Sequence, residues 1–188
     1  MKQLYFMRHG QSEVNAAGIY GGSQPHIKLT QLGRKQAVLA GREFTGAPID
    51  VIYASNLDRA QLTTKLFVEA AGYSDAIIVT DERLHEIDPG TMTGQRDQGF
   101  TKALKHMTSG DDPTSETPEQ VFARVTSFLR DVEPLTRDKT VLVVAHAGVA
   151  RVFQSLLTGV TLASISDTTI PNAEPFELPL DRLNEVVK

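Results

Sequence analysis

Short apolar runs alternate with amphipathic segments along the chain, and this alternation is the strongest pattern in the sequence. Four runs rich in β-branched residues read as strands, at 3–7, 51–54, 76–80 and 140–145. Four segments with helical spacing separate or follow them, at 30–44, 55–72, 117–135 and 148–159. Strands that alternate with helices predict an α/β fold, a three-layer α/β/α sandwich with a largely parallel central sheet.

Start and stop signals support the first two helices. Thr30 is a good N-cap, and Leu32, Val38, Leu39 and Arg42 follow it at helical spacing. In the second segment we expect Ser55, three residues before Asp58, to cap the start and Gly72 to end the helix.

The later helices carry similar signals. Thr117 with Gln120 predicts a capping box, and Pro118 suits the first helical position. Gly159 predicts the end of the segment at 148–159. A further strand is expected near 173–180, whereas 10–29 and 81–116 look irregular. We find no internal repeat, and we expect a single domain over 1–188 with a short lid-like insertion near 95–116.

Composition narrows the function classes. The chain has 188 residues, 40% of them hydrophobic, with a net charge of −4 and no cysteine. It shows no clustered basic face, so we expect no nucleic-acid partner. It has no apolar run of the roughly 18–20 residues that would span a bilayer, so we expect no membrane partner and a cytoplasmic location. Disulfides and thiolate catalysis are excluded.

Polar side chains follow the predicted strands where each strand ends. Arg8 and His9 follow the first strand, Arg59 lies just after the second, and His146 follows the fourth. The third strand leads after a few residues to a further polar set, His85, Glu86 and Asp88. Each residue alone is most simply a structural or surface residue. Four segments that deliver such residues to one edge of a sheet predict a joint site, because ligands bind outside the carboxyl ends of parallel strands.

The residue types suit a phosphate group. Two arginines and two histidines fit a doubly charged oxyanion, and the helix that carries Arg59 would add its N-terminus. With no cysteine, and no obvious base beside the serines and threonines, a neutral imidazole is the available nucleophile and Glu86 the available acid.

The sequence then resembles the histidine phosphatase superfamily, whose fold is phosphoglycerate-mutase-like. Five blocks occur in the order of that family and cover most of residues 3 to 148: "RHGQSEVN" (8–15), "LTQLGRKQA" (29–37), "ASNLDRAQLT" (54–63), "LHEIDPGTMTG" (84–94) and "VVAHAG" (143–148). The resemblance implies that His9 is the nucleophile and Glu86 the proton donor. It also implies that the carbonyl of Gly10 fixes the tautomer of His9, and that a group of polar residues holds the phosphate oxygens: Arg8, Asn15, Arg59 and His146.

The sequence departs from the family pattern at three places, of which the first alters the rim of the pocket. Thr91 and Met92 stand where small phosphatases often have an acidic or aromatic residue. The sequence "SET" (115–117) replaces Gly-Glu-Ser, and Ala147 replaces a frequent glycine. None of them touches the expected catalytic set, so they leave the activity in place and the substrate open.

The resemblance covers both phosphatases and 2,3-bisphosphoglycerate-dependent mutases. Mutases look longer, with an insertion that shields the site from water, whereas the stretch 94–117 offers only about two dozen residues. We therefore expect a phosphatase that needs no cofactor and acts on a small phosphorylated substrate. The mutase remains the alternative, as does a non-catalytic phosphate-binding module.

A metal hydrolase is the remaining rival from another class. Its ligands would come from five residues, His9, His85, Glu86, Asp88 and His146. Arg8 and Arg59 would repel a cation there, so we expect no metal.

The sequence is compatible with several classes of phosphate monoester as substrate. A second anionic group could meet basic residues of the presumed lid, Arg96, Lys102, Lys105 and His106, although a solvated helix face explains them equally well. His26 and Lys28 are further candidates for the rim. Because the acid has to be protonated, we expect an activity optimum on the acidic side of neutral.

Overall fold

The structure, a computed structural model, describes residues 3–165 and 168–187. Residues 1, 2, 166, 167 and 188 of the expected 1–188 domain lie outside the described residues. Within them the chain forms a five-stranded sheet in the order β3-β2-β4-β1-β5, covered by helices on both faces. The predicted three-layer α/β/α fold is confirmed.

The strands are β1 (Leu4–Arg8), β2 (Val51–Ser55), β3 (Ile77–Asp81), β4 (Val141–Ala145) and β5 (Phe176–Leu178). The first four are parallel, and β5 pairs antiparallel with β1. The expected late strand is thus present but shorter than 173–180. The register pairs Arg8 at the end of β1 with Ala145 at the end of β4, so the residues after both strands emerge side by side.

The α-helices of the described residues are α1 (Glu13–Ala17), α2 (Gln31–Glu43), α3 (Asp58–Ala71), α4 (Phe100–Ser109), α5 (Pro118–Val132), α6 (Ala147–Thr158), α7 (Leu162–Ile165) and α8 (Leu183–Val186). Short 3-10 helices occur at Glu82–Leu84, Gly90–Met92 and Glu133–Arg137. Both stretches expected to be irregular therefore contain a helix, α1 in 10–29 and α4 in 81–116. None of the helices in the described ranges has the length and hydropathy needed to cross a bilayer.

Successive side chains of β1 point to opposite faces of the sheet and so belong to both layers of the core. Leu4 and Phe6 face α5 and α6 on one side of the sheet, and Tyr5 and Met7 face α2 and α3 on the other. All four are buried, and three of them are wholly inaccessible. The sheet is therefore fixed from both faces, and its strand ends form a rigid platform.

Most of the expected helix signals are confirmed. Thr30 caps α2 through the N–H of Gly33, and Thr117 forms a capping box with Gln120 at the start of α5. Gly159 ends α6 in the left-handed conformation, and Gly72 likewise ends α3.

Ser55 is the exception. It is the last residue of β2, and Leu57 occupies the N-cap position of α3 without a side-chain hydrogen bond. The prediction that Ser55 caps this helix was wrong because its hydroxyl lies within hydrogen-bonding distance of His146.

Helix α2 packs by small residues rather than by large ones. Gly33, Ala37 and Gly41 are its buried positions, while Leu32 and Leu39 are half exposed. A Cβ at Gly41 would collide with the carbonyl oxygen of Phe67 in α3, so the two helices approach too closely for a side chain there. The helical spacing predicted this helix correctly, but the leucines that showed the spacing do not form its buried face.

Candidate active site

Two histidines meet where β1 and β4 end. His9 follows Arg8 and donates its backbone N–H to the carbonyl of Ala145 at 2.9 Å, which extends the ladder by one residue. His146 follows Ala145 and precedes α6. The two rings lie edge to face with their centroids 5.1 Å apart, and both side chains are buried.

The protonation of His9 is set by its neighbours. Its Nδ1 lies 2.7 Å from the carbonyl oxygen of Gly10, which can only accept, so Nδ1 carries the proton. Burial holds the pKa of His9 well below its ordinary value, and the charges of Arg59 and Arg8 lower it further. The ring is therefore neutral at pH 7, and Nε2 keeps a lone pair.

Close packing fixes the carbonyl of Gly10. Its backbone N–H donates to Thr63 Oγ1 at 3.0 Å, and the Thr63 hydroxyl donates to the carbonyl of Arg59 at 2.7 Å. A Cβ at Gly10 would collide with the carbonyl of Gly33 at the start of α2. Only glycine allows the turn after β1 to lie this close to α2.

Two arginines flank the histidines. Arg8 donates through Nη1 to the carbonyl of Ile170 at 2.7 Å. Arg59, on the first turn of α3, donates to the carbonyls of Gly22 and Gln24 at 2.8 and 2.9 Å. Burial lowers the pKa of Arg59 to about 10 and lowers that of Arg8 as well, so both remain charged at pH 7.

Glu86 is held by two backbone N–H groups. Its Oε1 accepts from Ile87 at 2.9 Å, and its Oε2 accepts from Gly148 on the first turn of α6 at 3.3 Å. A Cβ at position 148 would press against Glu86 Oε1, so the carboxyl group can sit there only beside a glycine.

Asn15 belongs to the capping box of α1. Its Oδ1 accepts from the backbone N–H of Ser12 at 3.2 Å, while its own N–H approaches Ser12 Oγ at 3.4 Å. The box fixes the side chain beside the cavity and leaves the amide NH₂ as its remaining donor.

Most of these residues border one cavity of about 230 Å³; His146 is fully buried and is not part of its lining. We define its inner end as Arg8, His9, Asn15, Arg59 and Glu86. We define its outer wall as Asp97, Gly99, Phe100, Ala103, Met107 and Arg151. The inner end presents two cations, an imidazole lone pair and a carboxyl group to one small space, which suits an oxyanion and a proton transfer.

His85 and Asp88 do not join the cavity. His85 Nδ1 lies 2.8 Å from the carbonyl of Glu86, and Asp88 accepts from Ser23 Oγ and from the N–H of Gly90. In the described part of the chain no three His, Asp or Glu side chains come together in a way that could hold a metal ion. The ligand set required by the rival metal hydrolase is therefore not assembled there.

The basic residues expected at the rim point elsewhere. Lys102 and Lys105 are on the exposed face of α4, because its Ala103 and Met107 face the cavity instead. His106 lies 3.0 Å from Asp112.

The other rim candidates are also outside the cavity. The imidazole of His26 lies 3.1 Å from Asp58, and Arg96 and Lys28 are exposed side chains away from the lining. These candidates for contact with a second anionic group therefore do not line the cavity. The charged side chains of the outer wall are Asp97 and Arg151.

Sequence reasoning missed a clamp from the C-terminal segment. Asn172 Nδ2 donates to the carbonyl of His9, and the backbone N–H of Ala173 donates to the carbonyl of Arg8, each at 2.8 Å. Ala173 adopts a left-handed φ of 51° to make this turn. The Pro171-Asn172 pair marks a turn in the sequence, but nothing local indicates its target.

Comparison with known proteins identifies relatives along nearly the whole chain. The family model described as histidine phosphatase superfamily (branch 1) matches residues 4–186. A protein of Hydrogenobacter thermophilus named "Putative phosphoserine phosphatase 2" is 34% identical over 96% of this chain and 91% of its own. A 2,3-bisphosphoglycerate-dependent phosphoglycerate mutase of a Methylobacterium species is 33% identical over 86% and 83%.

Solved structures share the fold. The structure titled "Mycobacterial hydrolase 1" superposes with a TM-score of 0.78 at 24% identity, covering 94% of this chain and 88% of that one. A phosphoserine phosphatase from Entamoeba histolytica, solved with phosphoserine, gives a TM-score of 0.73 at 23% identity over 94% and 95%. At these identities the likeness establishes the architecture alone.

Proposed function

The chain belongs to the histidine phosphatase superfamily and is a phosphatase, and we propose that it hydrolyses small phosphate monoesters through a phosphohistidine on His9, without a metal ion. The observation that carries this proposal is the tautomer of His9. Its Nδ1–H is held by the Gly10 carbonyl, so the lone pair on Nε2 is available beside two charged arginines.

In the first half-reaction Nε2 of His9 attacks phosphorus, and the bond from phosphorus to the ester oxygen breaks. Glu86, protonated at this stage, gives its proton to the leaving oxygen, and the alcohol departs. The two N–H groups that hold the Glu86 carboxyl keep it in place while it changes its charge.

In the second half-reaction water attacks the phosphohistidine. The Glu86 carboxylate accepts a proton from the water, the bond between phosphorus and Nε2 breaks, and inorganic phosphate leaves. His9 returns to its neutral form with the proton still on Nδ1, and Glu86 is again protonated for the next turnover.

The phosphoryl oxygens would be held by Arg8, Asn15, Arg59 and His146. Charge on these oxygens persists through both steps, and donors fixed in advance stabilise it most strongly in a buried site. Arg8 and Arg59 are both tied to backbone carbonyls, which supports such a fixed arrangement. Their charges also disfavour a metal ion at the same place.

For the substrate we propose a chemical class rather than one compound. The named relatives act on phosphoserine or phosphoglycerate, and the small cavity suits a phosphomonoester of that size. Hydrolysis is favoured over phosphoryl transfer because the segment that forms the outer wall is short and two of its residues, Asp97 and Gly99, are exposed to water. We further propose that 1–188 is one domain in which 95–116 forms the wall of the cavity, and that it acts in the cytoplasm.

The proposal is tested by hydrolysis of p-nitrophenyl phosphate in excess EDTA. The wild type should turn over, His9→Ala should lose activity by at least about a thousandfold, and His26→Ala, at an exposed site, should match the wild type. Acid-labile ³²P on the wild type, absent from His9→Ala, would identify the phosphohistidine. Loss of activity with EDTA would contradict metal independence, and binding of phosphate without turnover would indicate a binding module.

The mutase alternative has its own assay. The enzyme is incubated with 3-phosphoglycerate and 2,3-bisphosphoglycerate, and both inorganic phosphate and the isomeric phosphoglycerate are measured. We expect inorganic phosphate to dominate. Isomerisation faster than phosphate release would replace the phosphatase assignment with the mutase one.

A further inference from the structure

His146 and Ser55 form a buried pair that the mechanism above does not explain. Both side chains are fully inaccessible, and His146 Nε2 lies 2.8 Å from Ser55 Oγ. They come from the ends of the neighbouring parallel strands β4 and β2. The other ring nitrogen of His146, Nδ1, is buried and has no hydrogen-bond partner among the described residues.

The hydroxyl proton of Ser55 settles the direction of this bond. Ser55 Oγ accepts the backbone N–H of Leu57 at 3.3 Å, and its other neighbour among the described residues is His146 Nε2. If His146 donated to Ser55, the hydroxyl proton would have no acceptor in a buried site, which costs free energy. The hydroxyl therefore donates to Nε2.

A neutral imidazole carries one proton, so an acceptor at Nε2 requires the proton to be on Nδ1. Burial holds the pKa of His146 well below its ordinary value, and the neighbouring Arg59 and His9 lower it further, so the ring is neutral. The N–H on Nδ1 is then a buried donor with no acceptor among the described residues, and it belongs to a ring whose centroid lies 5.1 Å from that of His9.

We propose that Ser55 is a positioning residue that holds His146 as the Nδ1–H tautomer, so that this buried N–H donates to an oxygen of the phosphoryl group. The opposite tautomer would turn a lone pair toward the anion and repel it. The two rings then share a tautomer but differ in use. The Nδ1–H of His9 donates to the carbonyl of Gly10, so its Nε2 lone pair is available. The Nε2 lone pair of His146 accepts from Ser55, so its Nδ1–H is available.

This inference rests on the proposed function for its phosphoryl ligand, but its first test does not depend on turnover. Long-range ¹H–¹⁵N spectra of ¹⁵N-histidine-labelled wild type report the tautomer of each ring, and His146→Asn assigns the resonances. We expect a neutral His146 with the proton on Nδ1. A proton on Nε2 in the wild type would overturn the proposal without any variant.

The second test uses inorganic phosphate as the probe. Phosphate should shift the Nδ1–H resonance of His146 in the wild type. In Ser55→Ala the His146 signal should change to a different or mixed tautomer, phosphate affinity should fall about tenfold or more, and Ser55→Thr should restore both. Thr136→Val removes another fully buried hydroxyl, which donates to the carbonyl of Glu133, and should change neither.

The outcomes separate the two proposals. An unchanged tautomer and unchanged phosphate affinity in folded Ser55→Ala would refute the role of Ser55. A wild type with the expected tautomer and the phosphate-dependent shift, but with no phosphatase turnover, would refute the proposed function and support the inference about Ser55.

Discussion

The inner end and the outer wall of the cavity are built in opposite ways. The inner end draws on β1, α1, α3 and the turn at Glu86, and its backbone is clamped by residues as distant in sequence as Asn172. The outer wall comes mainly from one continuous segment, 97–107, together with Arg151 on α6. The first depends on the whole fold, whereas the second is a local addition to it.

The same contrast holds for charge. Arg59 and His9 are almost wholly buried, so their charges and lone pairs act in a medium of low polarity, where electrostatic interactions are strong. Asp97 of the outer wall is exposed, as are Lys102 and Lys105 on the other face of α4, so water and salt screen their charges. We therefore expect substitutions at the inner end to affect the chemistry and those at the outer wall to affect the choice of substrate.

The first test removes a buried cation from the inner end and, for comparison, an exposed cation from the face of α4 that points away from the cavity. Arg59→Ala should lower kcat/KM by about 10²–10³-fold, because it removes a fixed donor to the phosphoryl oxygens. Lys102→Ala, which removes an exposed cation from α4, should stay within about twofold of the wild type. Steady-state kinetics with p-nitrophenyl phosphate measures both.

Because Arg59 also binds the carbonyls of Gly22 and Gln24, its variant needs a check on folding. Thermal unfolding of Arg59→Ala and Arg59→Lys supplies it. Equal losses of activity in Arg59→Ala and Lys102→Ala, with both proteins folded, would show that burial beside His9 gives Arg59 no special role.

A second prediction uses the buried histidines of this site. The folded-state pKa of His9 and of His146 lies well below the ordinary value near 6.5, chiefly because of burial. Below that pH the unfolded chain binds more protons than the folded chain, so the free energy of unfolding falls as the pH falls. The expected slope is about 1.4 kcal/mol per pH unit for each histidine, from about pH 6.5 down to the folded-state pKa values.

Urea unfolding between pH 7.5 and 5 measures this slope. His9→Asn with His146→Asn should flatten it, whereas the exposed His26→Asn should leave it unchanged. A stability that does not change over this range in the wild type would show that the two rings are not held neutral by burial.

A third prediction concerns the position of the Glu86 carboxyl group beside Gly148. Gly148→Ala places a Cβ against Glu86 Oε1 and the side chain of Ile87, so the carboxyl group has to move. We expect kcat to fall about tenfold, because misplacing a proton donor weakens acid catalysis. Gly41→Ala is the matched control, since its Cβ would press on α3 and not on the site. It should lower thermal stability while the folded enzyme keeps its kcat; a loss of kcat equal to that of Gly148→Ala would refute the local explanation.

The two regions also differ in how far the sequence predicts them. Arg8, His9, Arg59 and His146 could be placed together because each lies at the end of a strand or shortly after it, and the carboxyl ends of parallel strands meet at one edge. The clamp by Asn172 could not, because its contact with His9 joins residues 163 positions apart and has no local pattern.

Ser55 and α4 show two further limits. A serine three residues before an acidic residue is a typical capping signal, yet a buried histidine 91 residues away competes for the same hydroxyl. In α4 the lysines mark a polar face correctly, but only the packing of Ala103 and Met107 decides which face borders the cavity.

A modest change in the KM for phosphoserine is expected from the last substitution, which is in the outer wall itself. Asp97 and Arg151 leave a carboxylate and a guanidinium beside whatever part of the substrate lies beyond the phosphate. An exposed carboxylate favours an ammonium group over a hydroxyl, and phosphoserine and 3-phosphoglycerate differ by that exchange. Asp97→Asn should therefore raise the KM for phosphoserine about two- to fivefold with little change in kcat, and should leave the KM for 3-phosphoglycerate level or lower.

Asp111→Asn serves as the control, because Asp111 is an exposed carboxylate away from the cavity lining. Parallel shifts for both substrates would mean that Asp97 contributes only general charge, and a large fall in kcat would mean that the outer wall takes part in the chemistry after all.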